Sequence, residues 1–327
     1  TIANPKELAE NLTGVPLTTI TGDHDGSPKG PKSFVLWNPP HLDDSMVERR
    51  AANSDARDLM VELIRRRFPT ITFVRTRNGA ELLYRYCQEG LQHHSPSLAR
   101  SIRAYRSGYL PEERREIERQ LFEGELLGVT STSALELGID VGSLSASLMV
   151  GYPGTISSTW QQAGRAGRGT EESLAILIAH NTPIDQYLMQ NPKYFFGESP
   201  ENAVIDPSNP YIVLGHLRCA ARELPIGVED ETLFGEYAPA VLDILQESGQ
   251  VRPLNGKWYW TGGGYPASDV SLRNINDNTY TIVDTTGDEN QVIGSIDEIG
   301  AFTQTHTEAV YLHDAETYFV DNLDLAQ

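Results

Sequence analysis

Cysteine is scarce in this chain: Cys87 and Cys219 are the two in 327 residues. Two thiols so far apart in sequence exclude a disulfide framework and any metal site built on cysteine pairs, and they fit a reducing compartment. His93-His94 lacks a third ligand at metal spacing and reads as a solvated pair, so no metal site is expected. No run of about 18 apolar residues occurs, which excludes an apolar membrane-spanning helix. A basic stretch leading into an apolar one is missing at the start, so no signal peptide is expected and the expected location is cytoplasmic, nucleoid-associated in a bacterium. Basic residues are in deficit, 26 against 45 acidic, for a formal net charge of −19. The deficit is uneven. Residues 1–170 hold 20 of each sign and balance, whereas residues 171–327 hold 6 basic and 25 acidic. The second part is therefore not expected to grip a duplex by charge alone. Missing as well is the Gly-x-x-x-x-Gly-Lys-[Ser/Thr] loop that holds nucleotide phosphates.

The densest chemistry that is present lies at 161–168, Gln-Gln-Ala-Gly-Arg-Ala-Gly-Arg. Arg165 and Arg168 are three apart and share a face if the segment is helical. Their planar cationic forks suit phosphate oxygens, and the small residues between them permit a close approach. Two solvated arginines on a glycine-containing helix are the plainer reading of this segment alone. Upstream, 130–142 reads Thr-Ser-Thr-Ser-Ala-Leu-Glu-Leu-Gly-Ile-Asp-Val-Gly, 105–115 reads Tyr-Arg-Ser-Gly-Tyr-Leu-Pro-Glu-Glu-Arg-Arg, and 71–77 reads Ile-Thr-Phe-Val-Arg-Thr-Arg. In this order the four segments resemble motifs IV, IVa, V and VI of superfamily 2 helicases. Thr1-Ile2-Ala3-Asn4-Pro5, the segment Phe34 to Pro40, Gly151-Tyr152-Pro153-Gly154, Tyr194-Phe195-Phe196-Gly197, Tyr265-Pro266-Ala267 and Ala309 to His313 extend the likeness. Together they resemble the YprA/MrfA/SftH-type DEAD/DEAH-box helicases, related to the fungal Hrq-type enzymes and carrying a C-terminal MZB region.

That resemblance implies site roles. Gln161, Arg165 and Arg168 would face the ATP γ-phosphate, and Asp140, beside Gly138 in a tight turn, would accept a hydrogen bond from the ribose. Thr132, with Ser131 nearby, would meet a nucleic-acid phosphate; capping a following helix is the alternative for Thr132. Arg75, Thr76 and Arg77 would cradle another phosphate, or else are ordinary charge after a strand. The implied partners are single-stranded DNA, or a duplex with a single-stranded tail, and a first RecA-like domain of the same protein. That domain would supply the missing phosphate loop and the Mg²⁺ ligand, so this piece alone is expected to neither hold nor hydrolyse ATP. The family's four-cysteine zinc site is not expected within residues 1–327. An RNA helicase, and a protein-docking module fused to half a motor, are the rival readings.

A length of 327 residues suggests two or three domains. Up to about residue 205, short apolar runs alternate with amphipathic segments, which predicts a parallel sheet with helices on both faces, RecA-like as the resemblance implies. Strands are expected at 34–37, 71–74, 126–129, 147–150 and 174–178. A helix is expected over 44–67, another over 80–91, and a third opening at Pro111. Residues 206–265 suggest a winged helix: helices at 211–224 and 237–247, then a hairpin around Asn255-Gly256. Trp258 and Trp260 share one face of that hairpin, favouring core over base stacking. Residues 266–327 suggest a small antiparallel β domain, which resembles the start of the MZB region.

Overall fold

The computed structural model describes the chain except for residues 21, 23, 29, 44–47, 138–141, 168, 271–277, 288 and 325–327. It packs as two units, one of Thr1, Gly26–Glu201 and Asn278–Gln327, the other of Ile2–Asp25 and Asn202–Asp277.

The larger unit is built on a six-stranded parallel sheet: β1 (Lys32–Trp37), β2 (Thr70–Phe73), β3 (Ile102–Tyr105), β4 (Gly128–Ser131), β5 (Ala146–Val150) and β6 (Ser173–Ile178). The strand order is β1-β6-β5-β2-β4-β3. Strands β2, β4 and β5 are buried along their whole length, as a sheet covered by helices on both faces requires. In helix Ala52–Arg65, Ala52, Ala56, Met60 and Ile64 recur every fourth residue and form its buried stripe. The expected helix over 44–67 is found only as Ala52–Arg65: residues 48–51 are not helical, and residues 44–47 lie outside the described ones. Ahead of Ala52 the backbone closes a short antiparallel turn, Arg50 N–H donating to Pro40 C=O at 2.9 Å. Strand β4 begins two residues later than its apolar run suggests. Leu126 N–H still donates to Gln120 C=O of helix Pro111–Phe122, and Leu127 N–H donates to Ser101 C=O just before β3.

The smaller unit contains helices Pro210–Glu223 and Ala238–Glu247 and a three-stranded antiparallel sheet of β7 (Ile226–Gly227), β8 (Val251–Leu254) and β9 (Lys257–Trp260), in the order β7-β9-β8. Asn255 and Gly256 both have positive φ, 53° and 76°, as a two-residue hairpin turn requires. Leu217, Leu242 and Leu245 form the centre of its core, and Trp258 and Trp260 pack against it. The tryptophans are therefore walls of the winged-helix core. Helix Pro5–Thr13 belongs to the same unit, where the Asn4 amide brackets Ala203, donating to its carbonyl at 3.0 Å and accepting from its N–H at 2.8 Å.

Two hairpins complete the larger unit: β10 (Thr279–Asp284) with β11 (Gln291–Asp297), and β12 (Val310–His313) with β13 (Glu316–Phe319). They pack on the segment after β3, where Gly108 C=O accepts from Ser295 N–H at 3.1 Å and Arg106 donates to Leu312 C=O at 2.8 Å.

Candidate functional site

In an open parallel sheet the carboxyl ends of the strands are where ligands bind. Here those ends carry segments singled out above: 75–77 after β2, 132–137 after β4 and 151–154 after β5. Phe73, Arg75, Ser133, Glu136, Gly151 and Gln162 are among the residues lining a cavity of about 440 Å³ at this edge.

The residues chosen from sequence are placed unevenly. Arg75 is exposed on the cavity wall. Thr76 caps helix Arg77–Gln92, its hydroxyl oxygen accepting from Gly79 N–H at 3.0 Å. Arg77 lies 3.4 Å from the Asp297 carboxylate, at the end of β11. That carboxylate is held below its ordinary range, first by the Gly300 N–H it accepts and then by Arg77. Ser131 is fully buried at the end of β4 and donates to Thr132 C=O. Thr132 is half-buried and caps the short 3₁₀ turn Ser133–Leu135. Gln161 is half-buried near the end of helix Ile156–Ala163. Gly138, Asp140 and Arg168 lie outside the described residues.

Arg165 is 8% exposed. Its Nε donates to Glu136 C=O at 3.0 Å, and Nη2 donates to the same oxygen. The arginine after the helix is thus engaged with the loop after β4, inside its own lobe.

Glu136 itself was not singled out from sequence. Its side chain is as buried as Arg165, and its two oxygens accept from Ser158 Oγ at 2.7 Å and Gln162 Nε2 at 2.8 Å. Ser158 and Gln162 are four apart, one helical turn, and Arg165 follows three residues on. One residue of the β4 loop therefore holds a whole face of the helix and the arginine beyond it. The signal was the i, i+4, i+7 spacing of polar residues along that helix and just past its end, but a lone glutamate gave no reason to pair them with it.

Further contacts set the end of this helix. Ser147 Oγ donates to Gln162 C=O at 2.8 Å from the middle of the buried sheet. Lys32 Nζ reaches the carbonyls of Ala163 and Ala166 at 2.7 and 2.5 Å. A cation suits the negative end of a helix, although burial pulls the Lys32 pKa down. Gly167 has φ +75°, and a Cβ there would meet Ser173 Oγ at 2.2 Å, so only glycine lets the chain turn between Arg165 and Arg168.

Comparison with known proteins places this arrangement. Residues 55–170 match the helicase conserved C-terminal domain, and residues 205–275 match the winged helix domain of ATP-dependent helicase HRQ1. The class is thus a helicase motor lobe followed by a winged helix. Uncharacterized ATP-dependent helicase YprA of Bacillus subtilis is 45% identical over 326 residues, 99% of this chain and 43% of that protein. ATP-dependent helicase hrq1 of Schizosaccharomyces pombe is 34% identical over 99% of this chain and 31% of its own length. A crystal structure of the DUF1998 helicase MrfA bound to DNA and AMPPNP superposes with a TM-score of 0.84 at 45% identity, over 99% of this chain and 45% of that one. The chain belongs to the YprA/Hrq1 family of ATP-dependent helicases, and it spans less than half the length of these relatives.

Proposed function

We propose that this chain is the second RecA-like lobe, with its winged helix, of a motor that couples ATP hydrolysis to 3′-to-5′ movement along a DNA strand in repair. The observation that carries the reading is the joining of the Thr132 loop to the Arg165 helix through Glu136 at the carboxyl edge of the sheet. A lobe that responds to both a nucleotide and a strand requires such a link. The DNA and AMPPNP held by the MrfA relative support the choice of both ligands.

The residues present fit the phosphate end of a nucleotide. A permanent cation stands at the helix end with its planar fork already ordered. Arg165 and Arg168 would stabilise charge on the γ-phosphoryl group, with Gln161 beside them, and Gly138 and Asp140 would meet the ribose. The Glu136 carbonyl is then the group with which a phosphate shares or exchanges Arg165. Mg²⁺ and the phosphate loop belong to a first RecA-like lobe, which is the partner across the cleft. Thr132, Ser131, Arg75, Thr76 and Arg77 form the strand side; of these Arg75 and Thr76 are exposed, Arg77 and Thr132 are half-buried, and buried Ser131 donates to the Thr132 carbonyl. Residues 206–265 act as the winged helix beside the duplex, and 266–327 open the MZB region.

The test is Arg165→Ala in the full-length protein. Hydrolysis is lost while binding to single-stranded DNA is kept and the melting temperature shows a folded protein. Unchanged turnover overturns the assignment. Stimulation by RNA in preference to DNA, in the same assay, favours an RNA helicase instead.

A further inference from the structure

We infer that Glu136 is the positioning residue through which the strand-contacting loop sets the helix Ile156–Ala163 and the Arg165 that follows it. The inference rests on the motor reading above and names the part that transmits within this lobe.

Three observations converge on it. The first is connectivity. Thr132 and Glu136 cap opposite ends of one 3₁₀ turn, Ser133–Leu135. A turn of three residues rises only about 6 Å, so a shift of Thr132 reaches Glu136 without a flexible joint. The second is grip. Both carboxylate oxygens are used, by Ser158 at 2.7 Å and Gln162 at 2.8 Å, and the main-chain oxygen of the same residue takes Arg165 at 3.0 Å. Hydrogen bonds to an ionised group are the strong ones, and in a buried setting the loss of one partner leaves the other unsatisfied. The third is that the helix is held on its other side by fixed points. Ser147, within the sheet, bonds Gln162 C=O, and Lys32, at the start of β1, bonds the carbonyls at the helix end. With Ser147 and Lys32 anchored to strands, the Glu136 loop is the adjustable side. Displacing the loop changes where the helix end, and with it Arg165, stands.

The chemistry of the side chain makes the claim testable. A carboxylate accepts twice. A glutamine at this position accepts from Gln162 through its oxygen and donates through its amide to Ser158, whose hydroxyl also accepts. Glu136→Gln therefore keeps both links without the charge, whereas Glu136→Ala removes both and Glu136→Asp is too short to reach them.

The experiment measures ATP hydrolysis by the full-length protein with and without a poly-dT oligonucleotide, together with oligonucleotide affinity and melting temperature. For Glu136→Ala, the strand-stimulated kcat falls about tenfold or more, while KM for ATP and the oligonucleotide Kd stay within about twofold. Glu136→Gln stays within about threefold of wild type. The double variant Glu136→Ala/Gln162→Ala is no slower than Glu136→Ala alone, because both act through one bond. Stimulated turnover in Glu136→Ala equal to wild type overturns the inference. So does a loss of kcat that Glu136→Gln fails to rescue, or one matched by an equal loss of strand affinity and folded protein. In those cases the wild-type motor still hydrolyses ATP, so the functional reading stands; a wild type with no strand-stimulated hydrolysis sinks both.

Discussion

Arg106 Nε donates to Glu81 Oε1 across 2.7 Å, and both side chains are almost wholly buried. The pair joins the end of β3 to helix Arg77–Gln92, and it is also the seat of the C-terminal hairpin. Arg106 Nη2 donates to Leu312 C=O and meets the Tyr311 hydroxyl at 3.0 Å, while Glu81 accepts from Tyr109 at 2.6 Å and from Ala315 N–H at 3.2 Å. The Arg106 guanidinium lies over the rings of Tyr109 and Tyr311, 4.7 and 5.4 Å from their centroids. The buried charges of Arg106 and Glu81 are each met by several partners from other elements, which is what makes them tolerable.

Removing one member leaves the other charged and unpaired. Glu81→Ala or Arg106→Ala is expected to cost about 3–5 kcal/mol in urea unfolding of the larger unit. The β12–β13 hairpin is expected to become the first site of proteolytic cleavage. A cost below about 1 kcal/mol would show that water reaches the pair.

His313 lies in the same cluster, edge-on to the Tyr109 ring at 4.9 Å. Burial, and then the nearby Arg106, push its pKa below the ordinary value of 6.5. The folded state therefore binds fewer protons at this site than the unfolded chain once pH drops below about 6.5, so stability falls with acidification there and is level above it. Hairpin protection in hydrogen exchange, followed from pH 7.5 to 5.5 or so, is expected to decline for wild type and to stay flat for His313→Phe.

Gly167→Ala tests the turn between the two motif arginines. A methyl group there meets Ser173 Oγ in a backbone region unfavourable to alanine. A loss of about 1–3 kcal/mol is expected, with a larger proportional loss of hydrolysis because the Arg165–Glu136 contact shifts. The double variant Gly167→Ala/Ser173→Gly relieves the clash and is expected to recover part of both.

Arg75→Ala is expected to weaken single-stranded DNA binding uniformly across sequences. Its signature is a log–log salt slope shallower by about 0.7, one phosphate contact on a single strand. Arg77→Ala is expected to change the slope less than Arg75→Ala, because Asp297 already neutralises Arg77. Equal slopes for both variants and wild type would remove segment 75–77 from the strand path.

Much of the fold is legible in the order of residues because local physics writes it there. The apolar runs of β2, β5 and β6 announce a sheet buried on both faces, Pro111 announces a helix start, and Asn255-Gly256 announces a tight hairpin. The segment 161–168 stands out as well, but its residues alone leave a solvated helix as the plainer reading, and the phosphate role of Arg165 and Arg168 comes from the family resemblance. What escaped is everything that depends on partners distant along the chain. Glu136 looked like one helical acid among many until Ser158 and Gln162 met it. Lys32 stands 131 residues from the Ala163 carbonyl it binds. The helix start at Ala52, in place of residue 44, is decided by a backbone bridge to Pro40 that no periodicity encodes.

The residue order by itself thus determined a parallel α/β sheet followed by two helices and a tight hairpin, because periodicity and turn chemistry are local properties. The tertiary structure alone decided that Arg165 rests on Glu136, that Arg77 faces Asp297, and that the last two hairpins seat on a buried Arg106–Glu81 pair. Those are pairings of charges and hydrogen-bond donors across long sequence separations, and their partners are chosen only when the chain closes.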